Sequence, residues 1–412
     1  MSHRSWVAAC IVAAQAALGA HAASATETQD ALIARGKYLA VAGNCGACHT
    51  APDGQAFSGG LEFDTPFGKI YSTNITPDAE TGIGKWSLAQ FQQALREGVR
   101  PDGEHLYPVF PYTSFTKIAD ADAAALFAYL KSLPAVSARA PENDLSFPYS
   151  QRWLMSLWNK MYFTAGAYKT DAKQSADWNR GAYLVEALGH CSACHSPRNS
   201  LGAEQTDDAF TGGVYNDKVP GGAVRQWSAP NLTSAPNGLG AWSAAEIAAY
   251  LKTGRNASTV AFGPMNDVIV NSTSRLTDGD LNAMATYLKG LAPKPGDLAA
   301  AASATELQAG ATLYDVHCGT CHLPTGLGSA DTGPKLAGSL VVQAGDPSSL
   351  INVILYGPQL PEPAPDVGHW QPMEAYGDKL TDEEIAQLAS YVRSTWNNRG
   401  GAVTAKQVAK QR

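Results

Sequence analysis

Cys45-Gly46-Ala47-Cys48-His49, Cys191-Ser192-Ala193-Cys194-His195 and Cys318-Gly319-Thr320-Cys321-His322 are the stretches on which the reading of this 412-residue chain turns. Each has the Cys-x-x-Cys-His pattern of covalent c-type haem attachment. Two thiols three positions apart on one helical turn can add to the two vinyl groups of one porphyrin. The adjoining histidine then projects under the ring as the proximal iron ligand. Six cysteines in an oxidising compartment could instead make three disulfides, and paired Cys-x-x-Cys units can bind zinc. Neither alternative requires histidine directly after every second cysteine. Histidine is 9 of the 412 residues, so three chance placements have a probability of about one in 100,000. The chain is therefore expected to carry three covalently bound haems c. Their attachment residues are Cys45, Cys48, Cys191, Cys194, Cys318 and Cys321, and the proximal ligands are His49, His195 and His322.

The motifs start 146 and 127 residues apart, and the sequence around them repeats. Arg35-Gly36-Lys37-Tyr38-Leu39, Arg180-Gly181-Ala182-Tyr183-Leu184 and Ala309-Gly310-Ala311-Thr312-Leu313 precede them, each read as a helix leading to the attachment site. After the first two motifs, Asn74-Ile75-Thr76 with Gly82-Ile83-Gly84-Lys85-Trp86-Ser87 recurs as Asn231-Leu232-Thr233 with Gly238-Leu239-Gly240-Ala241-Trp242-Ser243. Ser87-x-x-Gln90 and Ser243-x-x-Glu246 are capping-box signals, opening helices that end near Gly98 and Gly254. Closing helices are expected over 122–133, 278–291 and 382–396, the last opened by Thr381-x-x-Glu384. Phe127, Leu130, Tyr287, Leu288, Leu388 and Tyr391 on them read as core.

The expected fold is mainly α: three tandem cytochrome c-like haem domains with long Gly/Pro-rich loops. Domain 1 covers 23–134, domain 2 covers 177–292 and domain 3 covers 304–399, with a C-terminal tail over 400–412. A plain linker covers 293–303. The linker over 135–176 carries Trp153, Met155, Trp158, Met161, Tyr162 and Phe163. That aromatic density is too high for a free linker, and packing between haem domains is preferred to a docking surface for another subunit.

Charged residues are 16% of the chain, against a usual share of about 25%. Net charge is −7, which argues against disorder and, without a basic run, against a nucleic-acid partner. No internal run approaches the length of a membrane-spanning helix. Residues 1–22 read as a secretory signal: Arg4, an apolar run over 6–20 broken only by Gln15, then Ala20-His21-Ala22. A buried N-terminal helix and a lipid anchor at Cys10 are the alternatives. Removal of the signal takes Cys10 and leaves six cysteines, so the protein is expected in a bacterial periplasm, at the outer face of the inner membrane.

Electron-transfer haems usually have a second axial ligand, and methionine there raises the potential. Met265, in Phe262-Gly263-Pro264-Met265, is expected to serve haem two from a loop between helices. Met284 lies in a closing helix and reads as core. Met373, in Gln371-Pro372-Met373, is expected to serve haem three, with His369 as competitor. Repeat one has no methionine between residues 2 and 154, and Phe110 stands about where one should be. His105 is the candidate there, giving haem one two histidine ligands and the lowest potential of the three. A five-coordinate iron, a surface His105, or Met155 or Met161 reaching over from the linker are the alternatives. His190 and His317 read as loop residues near a propionate or at the surface.

These motifs, with Tyr71-Ser72-Thr73-Asn74-Ile75-Thr76-Pro77, Tyr107-Pro108 and Pro111-Tyr112, give the chain a resemblance to a known family. It resembles the triheme cytochrome c subunits of bacterial periplasmic, membrane-associated dehydrogenases. Those serve quinoprotein alcohol dehydrogenase, flavin-dependent gluconate, sorbitol and fructose dehydrogenases, and molybdenum-dependent aldehyde dehydrogenase. The resemblance implies a carrier rather than an enzyme. A large catalytic subunit, in some relatives with a small iron–sulfur or other subunit, oxidises substrate. This chain then relays electrons to ubiquinone or another respiratory acceptor. Phe110 with an upstream histidine resembles the aldehyde dehydrogenase branch. Gln411-Arg412 closes the chain without the long tail of some relatives, so membrane association is expected to be peripheral or through partners. Two other classes are a freely diffusing electron shuttle and a haem enzyme with an open iron site at haem one. The latter needs acid or base groups beside the iron, and only Glu104 and His105 offer them.

Overall fold

The structure is a computed structural model describing residues 27–219, 222–296, 300–358, 360, 370 and 373–412. The expected signal, His369 and the Gln371-Pro372 pair fall outside the described residues.

Among the described residues the chain is mainly α, and one helix crossing recurs in each repeat. Gln29–Ala42 packs on Asp120–Ser132, Ala176–Tyr183 on Asp278–Gly290, and Ala304–His317 on Asp382–Ser394. The glycine common to the three leading segments is the reason. A Cβ on Gly36 would overlap the carbonyl of Ala125; on Gly181, that of Ala283; on Gly310, that of Gln387. Backbone meets backbone there, and no side chain larger than hydrogen fits. The expected capping boxes form at Ser87 with Gln90, Ser243 with Glu246 and Thr381 with Glu384. Each satisfies two otherwise unpaired amides at a helix start. The helices opened by the first two end at Gly98 and Gly254, with φ of 64° and 74°.

Cys45 lies nine residues after Gly36, whereas Cys191 lies ten after Gly181. The extra residue is absorbed by a π-helical turn over Leu184–Leu188. Gly189 N donates to Leu184 O at 2.7 Å and Cys191 N to Val185 O at 3.1 Å.

The stretches read as loops after the first two motifs contain strands. β1 (Glu62–Thr65) pairs antiparallel with β2 (Gly68–Tyr71), and β3 (Asp144–Leu145), from the long linker, adds to β2. β4 (Gly213–Lys218) pairs antiparallel with β5 (Val224–Ala229), Tyr215 facing Trp227. Asn74 and Asn231 follow these hairpins and explain the recurrent Asn-x-Thr. Asn74 Oδ1 accepts from Thr76 N at 2.9 Å, and its Nδ2 donates to Val136 O at 2.7 Å. Asn231 repeats this with Thr233 N and Lys294 O, both at 2.8 Å. Each motif thereby ties the chain leaving the closing helix back onto its own repeat.

One core cluster runs through repeats one and two, including Leu39, Leu126, Leu184, Leu188, Leu281 and Leu288. Repeat three has its own, with Tyr314, Ile351, Leu355, Ile385 and Leu388. A smaller cluster of Tyr112, Met155, Trp158 and Ala203 lies under the linker helix Leu154–Tyr162. Met155 and Trp158 are therefore packing residues, while Trp153 and Met161 on the same segment are exposed.

Candidate functional site

Each motif forms a short helical turn at the end of its leading helix: Cys45–Cys48, Ser192–His195 and Gly319–His322. The first cysteine of each pair packs on its repeat's core, Cys45 and Cys191 on the shared cluster and Cys318 on that of repeat three. Burial pushes the thiols of Cys45, Cys191 and Cys318 up to about 12, and those of Cys48 and Cys194 up to about 11. Among the described residues no group of three or more His, Cys, Asp and Glu side chains could hold a metal ion.

The three motif histidines are held alike. Nδ1 of His49 lies 2.7 Å from Thr73 O, Nδ1 of His195 2.7 Å from Pro230 O, and Nδ1 of His322 2.8 Å from Pro334 O. A carbonyl only accepts, so Nδ1 carries the proton and donates. Burial lowers the pKa of all three rings below the ordinary histidine value. A neutral ring with its proton on Nδ1 presents the Nε2 lone pair, the state a metal-ligating histidine needs. Thr73 and Pro230 directly precede Asn74 and Asn231, so the Asn-x-Thr motif also fixes the carbonyl that orients the histidine. The residues present thus fit a covalently bound haem c at each motif.

Equivalent hydrogen bonds align the loops that carry the sixth-ligand candidates. Leu106 N donates to Gly98 O at 2.7 Å, and Ala261 N to Gly254 O at 2.6 Å. Four residues after these amides stand Phe110 and Met265, both packed on the shared core with Cys45 and Cys191. Phe110 therefore occupies the place of Met265. Met265 opens the helix Met265–Asn271 rather than lying in a loop, because Pro264 at its N-cap has the fixed φ of a helix start. Met373 packs on the core of repeat three, as does Cys318, and its segment is tied down by Tyr376 N donating to Ile354 O at 2.9 Å. Met284 is buried core, as expected.

His105 sits on the approach to the Phe110 loop, half-buried, with its Nδ1 3.3 Å from Asn159 Nδ2 of the linker helix. His190 stands outside any helix, between the π-turn and Cys191, and is partly exposed. Its ring stands edge-on to Phe115 at 5.5 Å, and Phe115 edge-on to Phe110 at 5.4 Å, so it lies where repeats one and two meet. His317 ends its helix with its ring 5.5 Å from that of Tyr376.

A Cys-x-x-Cys-His turn at the end of a helix, its histidine held through Nδ1 by a backbone carbonyl, is the mark of a c-type cytochrome. Residues 33–134 and 307–396 match the family model for cytochrome c. The chain is 40% identical over 414 residues to the "Alcohol dehydrogenase (quinone), cytochrome c subunit" of Gluconacetobacter polyoxogenes, covering 96% of this chain and 87% of that one. It is 39% identical over 410 residues to the "Gluconate 2-dehydrogenase cytochrome c subunit" of Pantoea cypripedii, covering 94% and 90%. It is also 45% identical over 372 residues to a nicotinate dehydrogenase component of Pseudomonas putida. That match takes in 88% of this chain but spans only 30% of the relative's length. The chain belongs to the cytochrome c family, among the homologues that serve as cytochrome c subunits of dehydrogenases. No helix among the described residues is long and apolar enough to cross a membrane.

Proposed function

We propose that this chain is a triheme electron-transfer subunit, exported to the periplasm, that relays electrons from a substrate-oxidising subunit to ubiquinone or another respiratory acceptor. The observation that carries this reading is the threefold Cys-x-x-Cys-His turn, each histidine holding its Nδ1 proton against a backbone carbonyl at 2.7–2.8 Å. Bound haem iron supplies reversible one-electron chemistry. The chain's residues anchor it through Cys45 and Cys48, Cys191 and Cys194, and Cys318 and Cys321, and present His49, His195 and His322 to the irons. Met265 and Met373 supply the second ligands of haems two and three. His105 supplies that of haem one, because Phe110 fills the methionine's place with a side chain that cannot coordinate.

Phe110 with His105 favours an aldehyde-oxidising partner. The quinone-dependent alcohol dehydrogenase and gluconate dehydrogenase relatives support the coarser reading of a dehydrogenase partner. Purification from the native host tests the assignment. Co-purification with a large subunit, and reduction of the haems by an aldehyde but not an alcohol or sugar acid, is expected. Carbon monoxide binding by the reduced protein would favour the haem-enzyme reading instead.

A further inference from the structure

The segment Arg152 to Asn159 grips the loop that carries His105 at both its backbone and its ring. Arg152 Nη1 donates to His105 O at 2.8 Å, its Nε pairs with Glu104 at 3.2 Å, and its guanidinium lies 4.6 Å from the centre of the Tyr107 ring. Seven residues on, two helical turns later, Asn159 sits between two polar groups of repeat one. Its Nδ2 is 3.3 Å from His105 Nδ1, and its Oδ1 accepts from the Tyr112 hydroxyl at 2.6 Å. Tyr112 is itself fixed: it has no exposed surface, and its ring lies where a Cβ on Gly98 would fall. By the hydrogen-bond alignment above, the equivalent of His105 in repeat two is Val260, whose side chain has no polar atom to hold. The linker helix thus brings a polar clamp to the one repeat in which histidine replaces the missing methionine.

We propose that Asn159 is a positioning residue for His105, orienting the imidazole toward the haem-one iron and setting that iron's potential. The inference rests on the reading of His105 as sixth ligand. An imidazole that coordinates through Nε2 keeps its proton on Nδ1, and that proton needs an acceptor. As placed, the Asn159 Nδ2 faces His105 Nδ1; a half-turn of the amide, whose oxygen and nitrogen are interchangeable in shape, places Oδ1 against His105 Nδ1 and Nδ2 against the Tyr112 oxygen, whose lone pairs can accept. The neighbours stay where they are. A neutral amide acceptor keeps the ligand a neutral histidine. A carboxylate there would draw the Nδ1 proton, enrich the ring in electron density and favour ferric over ferrous iron.

The test uses the full chain with its haems, comparing Asn159→Leu and Asn159→Asp with His105→Ala by electron paramagnetic resonance and potentiometric titration. Asn159→Leu is expected to convert part of the haem-one low-spin signal to high-spin and to admit carbon monoxide at that haem alone. Asn159→Asp, nearly isosteric and informative even if the leucine variant does not fold, is expected to lower the haem-one midpoint and leave the other two unchanged. If His105→Ala removes the low-spin signal while both Asn159 variants keep the wild-type signal and midpoint, His105 is a ligand and Asn159 does not position it. If His105→Ala leaves haem one unchanged, the ligand assignment fails and this inference with it.

Discussion

Repeats one and two meet through a helix face that repeat three turns to solvent. Arg35 pairs with Asp122 at 2.6 Å, and Tyr183 from repeat two donates to that same carboxylate at 2.7 Å. Reciprocally, Arg180 pairs with Asp280 at 2.8 Å, and Tyr38 from repeat one donates to it at 2.6 Å. Repeat three has Ala309 and Thr312 at the arginine and tyrosine places. Six residues after the crossing glycine, Ala42 and Ala187 are 4% and 0% exposed, whereas Val316 is 68% exposed. Repeat three docks instead on the other side of β5. Ser228 N and Ser349 Oγ bond at 2.9 Å, and Asn352 donates to Gln226 O at 2.8 Å. One helical unit thus serves two purposes. With Arg and Tyr it builds a reciprocal pair around a common core; without them it stands as a separate unit held at a polar seam.

The largest effect expected from this contrast is at the crossing glycines. Gly36→Val forces a branched side chain into the Ala125 backbone and should cost about 3 kcal/mol or more. Because the core is continuous, repeats one and two should melt together while repeat three persists. Gly310→Val should do the reverse. Limited proteolysis with haem-stained fragments reads both, and survival of repeat two in the Gly36→Val protein would break the picture of a joint unit.

Next in size are the cross-repeat hydroxyls. Tyr38→Phe and Tyr183→Phe each remove a hydrogen bond to a carboxylate and should cost about 1.5–3 kcal/mol. Thr312→Val, on the open face, should stay within about 0.5 kcal/mol. Urea unfolding of the three variants makes the comparison, and an equal loss at Thr312 would contradict it.

The smallest effect depends on pH. Burial, then repulsion from Asp267, raises Asp217 to about 6. A carboxyl whose folded pKa lies above its free value binds more protons in the native state. Stability attributable to it is therefore greatest below about pH 4 and falls as pH rises through 6. Asp217→Asn should stabilise the protein by about 1 kcal/mol at pH 7, after discounting for partial exposure, and by nothing at pH 4. Thermal melts at the two values test this, and equal gains at both would refute it.

What could be read from the residues alone follows the range of the interactions. The attachment turns, capping boxes and helix stops are encoded within a few positions, and Ser87, Ser243, Thr381, Gly98 and Gly254 behave as their local chemistry dictates. The hairpins were not legible, because strands of four to six residues among glycines carry too little alternation. Nor was the pairing of Tyr38 with Asp280, which are 242 positions apart. The Asn-x-Thr repeat was visible as a pattern, but its work on Thr73, Pro230 and the chain after each closing helix depends on tertiary geometry. The contact of His190 with Phe115 was not legible either, because it joins side chains from different repeats.

Intact mass of the mature protein, isolated from cells that assemble c-type cytochromes, tests the central claim most directly. Three haem additions are predicted, falling to two when both cysteines of any one motif are replaced by alanine. Two or fewer in the unaltered chain, or three retained after the Cys318→Ala and Cys321→Ala replacements, would contradict the account.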